Sequence, residues 1–234
     1  MADSMEKIER YLAEKASPEE TDSRLLREVA YERLQDAIRH ADLQPGDPLS
    51  ENRLSKALGI SRTPVREALQ QLAQEGIVQI IPGRAITVAA PSIQEVLEVV
   101  HIRELLEPEL YRLAAEALPP EARVILKECI EVMEQAAVAG DRSTWSRADS
   151  TLHETVSNFC PNRLLGQLVL QARNRVHYTA IDEQTTDTRI VACTVEHRQI
   201  IDAILNKNPE EAESLTREHI QQLRQSMFKR LVRY

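Results

Sequence analysis

The chain has 234 residues, enough for one large or two small domains, and no apolar run long enough to span a bilayer. Hydrophobic residues make up 42% of it and aromatic residues 3%, so the predicted core is mainly aliphatic. Taken alone, the net charge of −8 argues against a nucleic-acid partner. Three widely spaced cysteines and an acidic N-terminus without an apolar signal segment favour a reduced, cytoplasmic protein with no membrane association.

The first 89 residues predict a charged tail, three helices and a hairpin. In residues 1–23, Pro18 interrupts any helix begun over residues 5–15, so this segment is predicted to be a mobile tail or a loosely attached helix. The other predicted elements are a helix over 24–40, a turn over 42–48, a helix from Ser50 to Leu58, a helix from Ser61 that stops at Gly76, and β-branched strands over 77–81 and 85–89. In this order they predict a winged helix-turn-helix over residues 24–89.

The stretch around Gly59 has the pattern of a helix-turn-helix that reads DNA. Gly59 can adopt the positive φ of a tight helix end, Ser61 offers an N-cap oxygen, and Pro64 lies in the first turn of the next helix. Between Arg53 and Arg84 the acidic residues are only Glu67 and Glu75, so this region is locally basic. An ordinary amphipathic helix with solvated arginines is the alternative. The candidate DNA contacts are Arg53, Ser61, Arg62, Thr63, Arg66, Gly83 and Arg84.

Residues 90–92 are predicted to be a linker, and residues 93–234 show only helical patterns. The predicted helices cover 93–106, a new helix from Pro108 that is ended by Pro119-Pro120, and then 121–138, 142–159, 163–179, 186–206 and 209–231. The predicted fold class is therefore mainly α, with the winged helix-turn-helix followed by an antiparallel, all-helical bundle.

Four side chains in this bundle are candidates for a metal site. Asp149 and His153 are four residues apart, so they leave the same face of one helix. His197 and His219 lie on the last two predicted helices, each beside apolar residues. A carboxylate and imidazoles that converge inside a bundle suit Zn²⁺, Ni²⁺ or Mn²⁺. The alternative is that they are unrelated histidines that cap a core.

Two segments resemble a known family. The sequence from Leu54 to Leu69 (LSKALGISRTPVREAL) resembles the DNA-binding segment of GntR-family transcription regulators. The later pattern resembles the FCD effector domain of the FadR-like branch of that family. The residues that carry this second resemblance are Asp149, His153, Asn162, Leu165, Glu196, His197, Ile200, Ala203, Ile204 and His219, with the opening segments Arg103–Glu107 and Arg112–Ala115.

The resemblance implies a metal site and a metabolite effector in residues 93–234, which are also expected to form a dimer. In metal-containing members one aspartate and three histidines bind a divalent ion, and these positions are Asp149, His153, His197 and His219. Zn²⁺ is the expected ion, with Ni²⁺ or Mn²⁺ as alternatives. Such a site leaves coordination positions for a small carboxylate. The candidate guanidinium partners of that effector are Arg103, Arg173 and Arg175.

The predicted function is a metabolite-responsive repressor that binds a pseudo-palindromic operator in double-stranded DNA as a homodimer. One alternative is a metal-dependent hydrolase, although the segment His153–Ser157 is not His-Glu-x-x-His and no general base lies near the ligands in the sequence. Another alternative is a regulator whose metal is purely structural.

Overall fold

The structure is a computed structural model that describes residues 3–15, 25–41, 43–176 and 187–231. Within these ranges the chain forms ten helices and three short strands. One compact unit holds the described residues up to Pro91 with 174–176, and the other holds residues 92–173 and 187–231. The predicted fold class is confirmed, because a winged helix-turn-helix is followed by an all-helical domain. No helix in the described part of the chain is long and apolar enough to cross a membrane.

The first unit consists of four helices and a small antiparallel sheet. Its elements are α1 (Ser4–Glu14), α2 (Leu26–His40), β1 (Pro48–Leu49), α3 (Glu51–Leu58), α4 (Arg62–Gln74), β2 (Val78–Ile81) and β3 (Ala85–Val88). The strand order is β1-β3-β2, with Ile80 opposite Ile86 and Pro48 opposite Thr87. The sequence predicted β2 and β3 but only a turn before Pro48. A strand of two residues has no alternation to detect, and only its pairing with β3 makes it a strand.

The turn between α3 and α4 follows from local sequence. Ser50 caps α3 by accepting a hydrogen bond from the Arg53 backbone N–H at 3.4 Å, and Gly59 ends the helix with φ +66°. Ser61 occupies the N-cap position of α4, but its side chain makes no cap hydrogen bond, so the predicted capping role of its oxygen is wrong. The inner face of α4 is fully buried, and its members are Val65, Ala68, Leu69 and Leu72.

Residues 3–15, predicted as part of a mobile tail or a loosely attached helix, contain helix α1, which belongs to the core of the first unit. Met5, Ile8 and Leu12 of α1 are almost completely buried in the same apolar cluster as the inner face of α4. The Tyr11 hydroxyl also donates to Asp36 of α2 at 2.8 Å. The spacing of the three apolar residues is helical, but their docking surface comes from later elements of the chain. Residues 16–23 of the predicted tail lie outside the described residues.

The second unit consists of six helices around one apolar core. They are α5 (Ile93–Ala117), α6 (Pro120–Ala139), α7 (Arg142–Asn158), α8 (Arg163–Val176, whose last three residues are grouped with the first unit), α9 (Asp187–Leu205) and α10 (Pro209–Leu231). The predicted continuation of α8 over residues 177–179 and the predicted start of α9 at Thr186 lie outside the described residues.

Helix α5 corrects the prediction that one helix ends at Leu106 and another begins at Pro108. The helix begins at a capping box formed by Ser92 and Glu95 and continues through Pro108 without a break. Proline removes one helix hydrogen bond. Here Pro108 is buried, with Val100 and Leu110 completely buried on either side of it, so tertiary packing holds the helix together across the missing bond.

The docking of α1 predicts a measurable effect on stability. Ile8→Ala is expected to reduce the free energy of unfolding of the first unit by about 2–4 kcal/mol, because it removes fully buried methyl groups and leaves a cavity. Hydrogen exchange of the α4 amides in the full chain measures this change. Arg10→Ala on the exposed face of α1 is the control. A tail detached from the core would make both substitutions neutral.

Candidate functional site

The N-terminal end of α4 presents three of the predicted DNA contacts together. Arg62, Thr63 and Arg66 are exposed on the first two turns of the helix. The Arg62 Nη1 donates to Asn52 Oδ1 at 3.0 Å, and Arg66 makes a two-point contact with Glu51. Two guanidinium groups beside a helix N-terminus suit phosphates and guanine edges. Asn52 and Glu51, both on α3, are neighbours of this surface that the sequence interpretation missed.

The β2–β3 turn and the start of α4 hold three further candidates. Gly83 and Arg84 are exposed in the turn, where Gly83 has φ +68° and the Arg84 backbone N–H donates to Ile81 O at 3.0 Å. A side chain at Gly83 would be strained by this backbone conformation. Ser61 is exposed immediately before α4. Gly83 thus lets the turn keep a tight shape that exposes the Arg84 side chain.

Arg53 is not grouped with the arginines of α4. Its Nε and Nη2 donate to the two carboxylate oxygens of Glu9 at 2.7 and 2.8 Å, and its Nη1 donates to Asp3 Oδ2 at 2.7 Å. These contacts raise the pKa of the Arg53 guanidinium and lower the pKa of the Glu9 carboxyl. All three guanidinium nitrogens of Arg53 are therefore engaged by Glu9 of α1 and by Asp3, the N-cap residue of that helix.

In the second unit, three of the four predicted metal ligands, Asp149, His153 and His197, bring their donor atoms close together. His153 Nε2 and His197 Nε2 lie 3.3 and 3.2 Å from the same Oδ1 atom of Asp149, and the two nitrogens are 3.0 Å apart. The His219 ring lies edge-on to the His197 ring, with 4.6 Å between ring centroids. Donor atoms that share one ion at about 2.1 Å lie about 3.4 Å apart in tetrahedral coordination and about 3.0 Å apart in octahedral coordination, so these separations suit a single ion.

Each histidine uses its Nδ1 atom for a protein partner. His197 Nδ1 donates to the Cys193 carbonyl at 2.8 Å, and His219 Nδ1 donates to Glu196 Oε2 at 2.6 Å. His153 Nδ1 is hydrogen-bonded to the Tyr111 hydroxyl. A carbonyl and a carboxylate only accept hydrogen bonds, so in the neutral form of His197 and of His219 the proton lies on Nδ1 and the lone pair lies on Nε2. This is the arrangement in which outer partners orient histidine ligands of a metal.

Burial sets the protonation of the cluster. Loss of solvent lowers the pKa of His153 to about 3 and that of His197 to about 4, so both are neutral near neutral pH. The pKa of Asp149 lies well below its usual value, because the nearby histidines and Arg173 favour the carboxylate more strongly than burial opposes it. A neutral imidazole and an ionised carboxylate are the forms that bind a divalent cation.

A buried charge network lies next to the cluster and contains two of the predicted effector contacts. Arg103 Nε donates to Glu107 Oε1 at 2.6 Å, and Arg173 Nη1 lies 3.1 Å from the same oxygen. The Nη2 of Arg173 lies 3.6 Å from Asp149 Oδ2. Arg175 is exposed. It lies two residues after Arg173 on α8, and a rotation of about 200° between these positions puts the two side chains on nearly opposite faces of the helix. Arg173 is therefore the candidate that lies against a predicted metal ligand.

The sequence interpretation missed four residues around this cluster. Glu107, which directly precedes the helix start predicted at Pro108, is buried between two arginines in the middle of α5. Tyr111 and Glu196 hold imidazoles, and the Cys193 Sγ lies 3.4 Å from His197 Nδ1, where it forms a second potential metal-binding group with His197 and His219. The sequence does contain a pattern that indicates this group, because Arg103, Glu107 and Tyr111 recur every four residues and so share one face of a helix.

The chain is similar to two protein families over most of its length. Residues 26–88 match the family described as bacterial regulatory proteins, gntR family, and residues 98–222 match the FCD domain. Helix α1 precedes the first match.

Individual relatives agree with both matches. The chain is 30% identical over 207 residues to a probable D-xylose utilization operon transcriptional repressor of Paenarthrobacter nicotinovorans, a match that covers 86% of this chain and 89% of that one. It is 29% identical to the HTH-type transcriptional regulator YdhC of Bacillus subtilis, over 78% of this chain and 82% of that one. The solved structure of Escherichia coli McbR/YncC superimposes with a TM-score of 0.77 at 23% identity and covers 89% of this chain and 99% of that one, which shows a shared fold.

The charge network predicts a large cost for removing its central carboxylate. Glu107→Gln is expected to lower the free energy of unfolding of the metal-free protein by about 3 kcal/mol, because Arg103 and Arg173 stay buried without their counter-ion. Urea unfolding measures the loss. The control is Glu109→Gln, which removes an exposed partner of Arg112 on the same helix and should change stability by less than about 0.5 kcal/mol. Equal effects of the two substitutions would contradict the assignment.

Proposed function

Because the chain belongs to the GntR family of DNA-binding transcription regulators, in the group that carries an FCD domain, we propose that it is a repressor whose DNA binding responds to a small carboxylate held at a divalent metal. The family predicted from the sequence is thereby confirmed. Relatives are transcription regulators, and so the hydrolase alternative is set aside. The observation that carries the metal part of the proposal is the convergence of Asp149, His153 and His197 with every Nδ1 already bonded.

For DNA recognition, we propose that α4 enters the major groove with its N-terminal turns against the bases. The exposed side chains of Arg62, Thr63 and Arg66 support this orientation, and Ser61, Gly83 and Arg84 are proposed to contact the backbone or the adjacent groove. Arg53 has a weaker case as a contact, because Glu9 and Asp3 occupy its guanidinium. A homodimer on a pseudo-palindromic operator would place two copies of α4 on successive half-sites.

For the metal, the proposed ligands are Asp149, His153, His197 and His219. A divalent ion bound there supplies positive charge and coordination positions that an anionic ligand can occupy. The protein's part is to hold His197 and His219 in the required tautomer through the Cys193 carbonyl and the Glu196 carboxylate, and to orient the His153 ring through the Tyr111 hydroxyl. Zn²⁺ is the proposed ion, since the donor set is nitrogen and oxygen, with Ni²⁺ or Mn²⁺ as alternatives.

For the effector, the geometry favours an anion that reaches Arg173. This guanidinium is buried between Asp149 and Glu107, and Arg103 shares Glu107 with it, so a carboxylate that engaged Arg173 would redistribute the hydrogen bonds of all four groups. Exposed Arg175 has a weaker case. The effector changes operator binding only to the extent that it binds one arrangement of the dimer more tightly than another. Repression relieved by the ligand is the proposed sign.

The recognition-helix assignment predicts the behaviour of Arg66. Arg66→Ala is expected to weaken binding to a duplex selected by the wild-type protein from a random library by at least about tenfold, since a bidentate base contact is lost. Fluorescence anisotropy at fixed ionic strength measures the affinity. Arg217→Ala removes another exposed arginine, on α10, and is expected to leave the affinity unchanged. Wild-type affinity of the Arg66 variant would refute the assignment.

The metal assignment predicts a two-step stabilisation. Zn²⁺ added to metal-stripped protein is expected to raise the melting temperature by mass action, and small carboxylates are expected to raise it further only when metal is present. Asp149→Ala should abolish both shifts, whereas Asp202→Ala, which removes an exposed carboxylate of α9, should abolish neither. A metal shift without any carboxylate shift across a broad panel would favour the purely structural metal.

A further inference from the structure

Arg62 and Arg66, the two arginines of α4 proposed to contact DNA, form hydrogen bonds with chemically different residues of α3. Arg62 bonds to the neutral amide of Asn52, whereas Arg66 bonds to the carboxylate of Glu51. Only the second contact joins a charge to a charge. Charge-assisted, two-point contacts fix the orientation of a guanidinium far better than a single bond to an amide.

The contact between Arg66 and Glu51 uses one edge of the guanidinium and leaves the other open. Arg66 Nε donates to Glu51 Oε2 at 3.0 Å, and Arg66 Nη2 donates to Glu51 Oε1 at 2.9 Å. The side chain of Glu51 is 20% exposed and that of Arg66 is 56% exposed, so the guanidinium is the more accessible partner of the pair. Nη1 and the outer hydrogen of Nη2 are the donors that a bidentate contact with the O6 and N7 atoms of guanine requires.

Arg53, in the same unit, is a comparison case, because all three of its guanidinium nitrogens donate to carboxylates. Two acidic residues, Asp3 and Glu9, take all three of its nitrogens, so neither edge is left for a second bidentate partner. Glu51 alone takes one edge of Arg66. The difference separates an arginine that clamps one helix to another from an arginine that is held in place to bind something else.

We propose that Glu51 is a positioning residue for DNA reading, which holds Arg66 by its Nε–Nη2 edge and leaves its Nη1–Nη2 edge to bind a guanine. The inference rests on the proposed function, in which Arg66 contacts a base. Glu51 is suited to this task because it is the first residue of α3, a helix fixed by the Ser50 cap and by the buried Leu54 and Leu58. The support is therefore a rigid element and not a loop.

Two physical effects make this arrangement selective. A free arginine side chain loses rotamer freedom when it binds, and the contact with Glu51 removes much of that loss in advance. The carboxylate also opposes the attraction of nearby arginines to phosphates, which is the sequence-independent part of DNA binding. Glu51 is therefore expected to strengthen binding to the preferred duplex while weakening binding to unrelated DNA.

The test is the ratio of affinities for the selected duplex and for a scrambled duplex of the same composition. Glu51→Gln is expected to lower this ratio by about tenfold, with unrelated DNA bound more tightly than by the wild type. Glu51→Asp keeps the negative charge at the start of α3 but is one methylene too short to hold Arg66, and the ratio should fall similarly. Glu67→Gln removes an exposed charge from α4 itself and should change the ratio by less than about twofold.

A double-mutant cycle separates this inference from the proposed function. In an Arg66→Ala background, Glu51→Gln should cause no further loss in the ratio, because the group that it positions is gone. If Arg66→Ala leaves the ratio at the wild-type value, the proposed base contact itself fails. If Arg66→Ala lowers the ratio but Glu51→Gln does not, or if Glu51→Asp behaves as the wild type, only the positioning role is overturned. Melting curves of each variant verify that α3 remains folded.

Discussion

In the helical unit, a single carboxylate oxygen of Asp149 lies against imidazole nitrogens of both His153 and His197, and its other oxygen faces Arg173. These groups are almost fully removed from water, where an unpaired charge is very costly. Each buried charged or polar group therefore needs a counter-ion or a hydrogen-bond partner, and that partner is itself buried and needs a further one. The carboxylate of Glu107 neutralises Arg103 and Arg173, and the Tyr111 hydroxyl takes up the remaining nitrogen of His153. Much of the polar interior follows from this requirement.

The same requirement assigns roles to whole helices. Helix α5 supplies Arg103, Glu107 and Tyr111 on one face, and its continuity through Pro108 keeps the three in register. Helix α9 supplies both His197 and the Glu196 that orients His219. A break in α5 at Pro108 would have rotated its two halves independently. The unbroken helix is thus a condition for the charge network as much as a result of apolar packing.

In the winged unit, the arginines Arg53 and Arg66 have different partners because they lie next to different helices. Arg53 meets two carboxylates because α1 packs across α3, while Arg66 meets one because it lies on α4 beside the first residue of α3. The apolar stripe of α1 fixes where its acids lie, so hydrophobic burial decides which arginine is neutralised. Net charge and local composition alone do not distinguish these two arginines.

The sequence by itself determined the winged helix-turn-helix and the helical second domain, because helical spacing, caps and a long motif are local signals. The four candidate metal ligands were selected as a set only by the resemblance to the FCD domain. It did not predict that α1 joins the core, that α5 continues through Pro108, or that β1 exists, since each depends on a surface supplied by distant residues. Only the tertiary structure paired Arg53 with the carboxylates of α1 and of its N-cap residue, placed Glu107 between two arginines, and brought Glu51 into contact with Arg66. Charge partners are chosen by proximity in space, and the order of residues along the chain does not record that proximity.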